Sequence, residues 1–219
     1  KNLKRRMSMK QKAALKTLAL GNILMALLLT ACGSSPPARF YALTPMPPQI
    51  SEDKTILHDK NKIIAIGPIE IPEYLDRAEI VTRAKENQLM ISEFDLWGGS
   101  IKTEISRVLV ENIGSLLDRD GLAVVAWKTT MPESYRVPVI LYRFDAVQDG
   151  SLTLRAQWAV FDKDGKSLLS FQEAIVTKPA KGSGYDVLVA LMSEALGDLS
   201  KAIAENLRFI KNNLVIKKF

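Results

Sequence analysis

The chain has 219 residues, with 30 Lys and Arg against 24 Asp and Glu, a formal net charge of +6. Residues 1–31 hold seven of those bases and no acid, so residues 32–219 carry 23 bases against 24 acids. That balance excludes the basic surface a nucleic-acid-binding domain needs, and a single cysteine excludes an intramolecular disulfide.

The first stretch begins with Lys1, Lys4, Arg5 and Arg6 and continues into an apolar run at 17–31 that contains Gly21 and Asn22. A membrane-spanning helix needs roughly 20 apolar residues. A shorter run behind basic residues, closed by small side chains, is the pattern of a secretory signal. It ends in Leu29-Thr30-Ala31-Cys32-Gly33. An aliphatic residue three positions before cysteine, with small residues between, marks a bacterial lipoprotein signal. The Cys32 sulfur can accept a diacylglyceryl group, and cleavage before Cys32 then leaves a lipidated N-terminus whose amine takes a palmitate-type acyl chain. The expected division is a signal peptide at 1–31, a lipidated tether at 32–38, one domain at 39–210 and a basic tail at 211–219. In enteric-type bacteria an Asp after the cysteine retains lipoproteins in the inner membrane. Gly33 therefore points to the outer membrane, periplasmic face, with inner-membrane retention as the alternative.

Residues 39–44, Arg-Phe-Tyr-Ala-Leu-Thr, read as a first strand. The polar stretch 49–61 has no apolar period and reads as a loop; His58, the only histidine, is solvated there. Residues 62–71 are almost continuously apolar, as in a strand buried on both faces. Gly67-Pro68 predicts a bulge or bend within it, because proline cannot donate to a ladder. Residues 73–77 form a turn, and 79–83 with 88–92 form a hairpin. From 98 to 120 the period becomes helical, with Ile101, Ile105, Val108, Leu109, Ile113, Leu116 and Leu117 on one face. Ser100 caps its start and Gly121 stops it.

Residues 122–127 read as a fifth strand and 129–138 as a loop. A three-strand meander follows. Ile140, Tyr142, Phe144 and Ala146 alternate on its first strand; Leu152, Leu154, Ala156, Trp158 and Val160 alternate on its second. Asp149-Gly150 and Asp164-Gly165 supply the turns, and 167–177 is the third strand. A linker at 179–184 leads into a second helix from 185 to about 210. This order predicts an α+β fold: two layers, an antiparallel-rich mixed β-sheet and two amphipathic helices.

The inventory for catalysis is poor. Acyl transfer needs a nucleophile beside a base, and there is one histidine and no Gly-x-Ser-x-Gly elbow. Clusters of His and Cys suited to metal are absent from the sequence. Glu104 and Glu111 share a helix face, which is ordinarily a solvated face. The chain therefore reads as a binding or structural protein, not an enzyme, without metal or cofactor beyond the lipid on Cys32. The turn Tyr74-Leu75-Asp76-Arg77 is the candidate partner contact, an aromatic beside a charge pair. The local alternative has Asp76 capping the turn and Arg77 pairing with it. Trp97 reads as core or as a hinge between strand and helix, and Trp158 as core.

Several segments together resemble one family: Ile66-Gly67-Pro68-Ile69-Glu70-Ile71-Pro72, Tyr74-Leu75-Asp76-Arg77, Ile80-Val81-Thr82-Arg83, Ser92-Glu93-Phe94-Asp95-Leu96-Trp97 and the helix segment from Ile105 to Asn112. With the cysteine motif and Tyr41-Ala42-Leu43-Thr44-Pro45, they are similar to the ABC-type transport auxiliary lipoproteins of the PqiC (YmbA) group. Gly98-Gly99 departs from the bulkier or charged residues that relatives often carry. The resemblance implies a fold like the N-terminal domain of TolB. It also implies a periplasmic lipoprotein working with an Mce-domain protein and an ABC transporter in lipid transport between membranes. Homo-oligomerisation fits that expectation. The alternatives are a structural envelope lipoprotein in assembly or peptidoglycan contact, and a lipid carrier with an internal cavity.

Overall fold

The computed structural model describes residues 18, 36–48, 63–128, 133–147, 151–179 and 182–216, with side chains through 213. Cys32, His58, Asp149-Gly150 and residues 217–219 lie outside the described residues. The chain divides into two units, 1–37 and 38–219, and all elements below belong to the second. No helix among the described residues is long and apolar enough to cross a membrane.

The strands are β1 (Arg39–Tyr41), β2 (Ile63–Glu70), β3 (Glu79–Lys85), β4 (Gln88–Trp97), β5 (Ala123–Ala126), β6 (Tyr135–Ala146), β7 (Leu152–Asp162) and β8 (Leu168–Lys178). The helices are α1 (Ile101–Leu117) and α2 (Tyr185–Ile216). The expected α+β architecture is present, and its strands divide between two mixed sheets. A five-stranded sheet has the order β5-β2-β6-β7-β8, and a three-stranded one the order β1-β4-β3. In the larger sheet β2 runs parallel to β5 and β6, and β6, β7 and β8 form an antiparallel meander. An isolated parallel bridge from Arg83 to Val147 joins the two sheets where β2 has ended.

Both helices cover the larger sheet and pack on each other, α1 over β2 and β5, α2 over β7 and β8. The stripe that defines α1 is buried at Ile101, Ile105, Val108, Leu109, Ile113 and Leu117, with Leu116 half-buried. The Ser100 side chain accepts from the Thr103 N–H at 3.4 Å. A 3-10 turn at Asp118–Asp120 closes the helix, and Gly121 at φ 67° takes the left-handed conformation that glycine adopts without strain. The α2 stripe is buried from Leu188 to Ile210. No helix breaker follows Ile210, and α2 continues to Ile216 rather than stopping there.

The bulge read from Gly67-Pro68 is present. Ile66 pairs with Val137 and Ile69 with Val139, so three steps on β2 oppose two on β6. Gly67 sits at φ 125°, a region closed to other residues, and its peptide to Pro68 is cis.

Two expectations about β6 need correction. The loop expected at 129–138 gives way to strand at Tyr135, and Pro138 lies inside β6. It stands opposite the Gly67-Pro68 bulge, where the ladder is already interrupted and its missing N–H costs little. The alternation also changes phase. Val137, Val139 and Leu141 are buried, then Phe144 and Ala146, while Ile140 and Tyr142 are exposed. Leu141 pairs with Ala156 but Arg143 with Arg155, so Tyr142 is the extra residue of a bulge.

Strand β4 is longer than expected and irregular. Glu79 faces Leu96 while Val81 faces Ile91, so two steps on β3 oppose five on β4. The Ser92 hydroxyl closes this irregularity by accepting from the Asp95 N–H at 2.9 Å.

Candidate functional site

The β6 bulge places a carboxylate where few are found. Asp145 is 1 % exposed in a strand whose neighbours Phe144 and Ala146 are core. Its Oδ2 accepts from the Tyr74 hydroxyl at 2.7 Å, and its Oδ1 from Arg83 Nε at 2.8 Å and Arg143 Nε at 3.0 Å. Arg83 also donates to the Tyr74 hydroxyl at 3.3 Å and to the Glu86 carbonyl at 2.6 Å, and stacks 5.4 Å from the Tyr74 ring centroid. One buried charge thus ties the 3-10 turn at Glu73–Leu75, the β3–β4 hairpin and β6 together. A buried carboxylate is tolerated only when paired and hydrogen-bonded in this way.

Burial, followed by the hydrogen bond to Asp145, pushes the Tyr74 phenol from its ordinary value near 10 up to about 12. The sign follows from linkage. The neutral phenol favours the fold in full below pH 10, and that contribution is lost as pH rises through about 12. Urea midpoints are therefore expected to decline across this window, and Tyr74→Phe to remove part of the decline. Parallel alkaline slopes for both proteins would contradict the placement.

A second buried carboxylate fixes the start of the domain. Asp95 is 3 % exposed and accepts from Arg39 at 2.7 and 3.0 Å, the Tyr41 hydroxyl at 2.9 Å and the Ser92 hydroxyl at 2.9 Å. Burial alone would raise its carboxyl. The hydrogen bonds from Arg39, Ser92 and Tyr41 outweigh that and hold it below the ordinary carboxylate value. Beyond β1, the Asn112 side chain accepts from the Met46 N–H at 2.8 Å and donates to Ser200 at 3.3 Å. The Leu43 carbonyl accepts from Arg107 at 2.7 Å. The segment that emerges from the tether is thereby fastened to both helices.

The structure separates the candidate contact residues. Tyr74 is half-buried on Asp145 and Leu75 is buried in the core, while Asp76 and Arg77 face outward. Arg77 pairs with Glu79 at 2.9 Å rather than with Asp76. Glu104 and Glu111 both accept from Arg107, at 2.7 and 3.0 Å, and so staple α1. Trp97 is buried, and its backbone N–H donates to the Ala78 carbonyl at 2.7 Å. Trp158 is core, with its indole N–H donating to Asn206 at 3.2 Å. Among the described residues no group of three His, Cys, Asp or Glu is placed to hold a metal ion.

The alternation of β7 already marks one face of the meander, with Arg155 and Gln157, as a solvated or partner face; on the outer side of β6, β7 and β8, opposite the helices, that face also carries exposed apolar side chains. Ile140, Tyr142, Phe171 and Ile175 are exposed there. Arg155, Gln157 and Glu173 run between them, with Arg155 to Glu173 at 2.6 Å and the Arg155 guanidinium 5.5 Å from the Tyr142 ring. Strand β8 is the edge of its sheet, and a long apolar edge is a ready template for pairing. The signal was available in β8 itself, where Leu168, Phe171 and Ile175 fall on positions that the helices do not cover.

This α+β domain, with a carboxylate-pinned first strand and two helices on one sheet, has solved counterparts. One is an uncharacterized protein at TM-score 0.65 and 19% identity, covering 78% of this chain and 99% of its own. Another is the protein XCC0632 of Xanthomonas campestris at TM-score 0.62 and 13% identity, covering 80% of this chain and 98% of its own. At these identities the likeness concerns the fold alone. The family follows from the sequence. The model of the ABC-type transport auxiliary lipoprotein component matches residues 41–204, and the chain belongs to that family. No curated protein matches it.

Proposed function

We propose that the chain is a lipoprotein held by acylated Cys32 at the periplasmic face of the outer membrane. There it serves as the accessory component of an ABC-type lipid transport system, docking an Mce-domain protein and assembling with copies of itself. The family match over residues 41–204 is the observation that carries this reading. The near-neutral charge of residues 32–219 and the apolar outer face at Phe171 and Ile175 support protein contact. It acts by binding rather than by catalysis, and uses no cofactor beyond its lipid.

The test is capture of the tagged lipoprotein from native membranes, with mass spectrometry of what is retained. An Mce-domain protein is expected with the wild type and much less of it with Cys32→Ala. The paired change Phe171→Glu and Ile175→Glu is expected to leave anchoring intact and to lose partner or self-association. Recovery of peptidoglycan or assembly factors alone would replace this reading with a structural envelope role.

A further inference from the structure

The bulge in β2 has a second consequence on the helix side of the sheet. A groove of about 500 Å³ opens between Gly67-Pro68, the first half of α1 and Trp127. That volume lies in the range of small-molecule sites. Its walls are apolar at Pro68, Val110 and the half-buried Trp127. Gly67 supplies no side chain to fill it; a Cβ there would stand 3.3 Å from the Trp127 Cβ.

The polar groups converge from one face of α1. Lys102 and Ser106 are four residues apart and so lie on the same side of the helix. Arg107 and Glu111 also line the groove, but they are bound to each other at 3.0 Å, and Glu104 takes the other side of Arg107 at 2.7 Å. Lys102 is exposed, and its ammonium is the cation in the groove that these carboxylates do not engage.

We propose that this groove is a binding site for a small amphiphilic anion, a phosphate or carboxylate on a short apolar body. The anionic group meets Lys102 and the Ser106 hydroxyl, and the apolar part lies against Pro68 and Trp127. The inference stands independently of the transporter role proposed above, since the residues lining the groove all belong to this domain.

Trp127 makes the site observable. Trp97 and Trp158 are buried, so a ligand in the groove reaches the emission of Trp127 first. The lipoprotein is reconstituted in zwitterionic vesicles and titrated with hexyl phosphate, inorganic phosphate or hexyltrimethylammonium. Hexyl phosphate is expected to give a saturable change in tryptophan emission, and the other two none. Calorimetry with Lys102→Gln is expected to show about tenfold weaker binding, the loss of one charge-assisted contact. Lys102 is solvent-exposed and its replacement spares the core. The proposal is overturned by an equal response to inorganic phosphate, by an equal response to the cation, by no saturable response at all, or by unchanged affinity in Lys102→Gln.

Discussion

Replacing Asp145 with alanine is expected to lower the unfolding free energy of the domain by about 3–5 kcal/mol, the cost of breaking a buried ion pair from one side. The side chain of Asp145 has no exposure, and those of Arg83 and Arg143 are 17% and 29% exposed. Neither guanidinium regains full hydration when the carboxylate is gone, and the Tyr74 hydroxyl loses its acceptor. Asp95→Ala makes the informative contrast. Asp95 is as buried, but its partner Arg39 is 64% exposed and returns to water when released. That change is expected to cost about 1–3 kcal/mol, the range for buried groups left without a hydrogen-bond partner. Urea unfolding of both variants checks the ranking. Hydrogen exchange adds a spatial readout: Asp145→Ala should raise exchange in β3 and β4, because Arg83 holds the Glu86 carbonyl at the hairpin turn. A loss below about 1 kcal/mol for Asp145→Ala, within the range of a surface pair, would show that the arginines find other partners.

Much of this architecture was legible because local chemistry and tertiary demand agree. The stripe Ile101, Ile105, Val108, Leu109 and Ile113 specifies a helix with one apolar face, and the sheet takes that face. Gly67-Pro68 announces a bulge because its backbone forbids a regular ladder. The first half of β6 misled for a related reason. Residues 137–142 read Val-Pro-Val-Ile-Leu-Tyr, with apolar side chains in both phases. Alternation has nothing to lock onto there, and the choice falls to the bulge at Tyr142 and to the cover available on each side. Asp145 was missed because a single acid in a strand carries no period. Its position between Phe144 and Ala146 was the available clue, a charge set among core residues. The Tyr74 turn was read correctly as a turn but credited with more outward surface than it has. The contact that draws Tyr74 inward is to Asp145 on β6, far along the chain, with Arg83 of the neighbouring β3 joining it. Such long-range pairing leaves no local trace.

The same bulge separates two deletions that look alike in the sequence. Removing Gln157 from β7 is expected to abolish cooperative folding. This strand alternates without interruption, with Leu152, Leu154, Ala156, Trp158 and Val160 buried and each paired in register to β6 or β8. Loss of one residue turns Trp158 and Val160 to the outer face, or the first three instead. Truncating a single buried Phe or Trp costs about 3–5 kcal/mol, and the slip misplaces at least two core side chains in a domain stabilised by about 5–15 kcal/mol. Removing Tyr142 from β6 is expected to be tolerated. Its neighbours Leu141 and Arg143 already face opposite sides, so the deletion straightens the bulge and keeps Phe144 inside and Asp145 on its arginines. What is lost is a hydrogen bond to Gln157 at 2.9 Å and the stacking on Arg155, together about 1–2 kcal/mol. Circular dichroism and urea unfolding of the two deletions decide the matter. If both unfold, the bulge carries a twist that the domain cannot lose. If both fold, β7 tolerates a slip, and its burial pattern does not set the register.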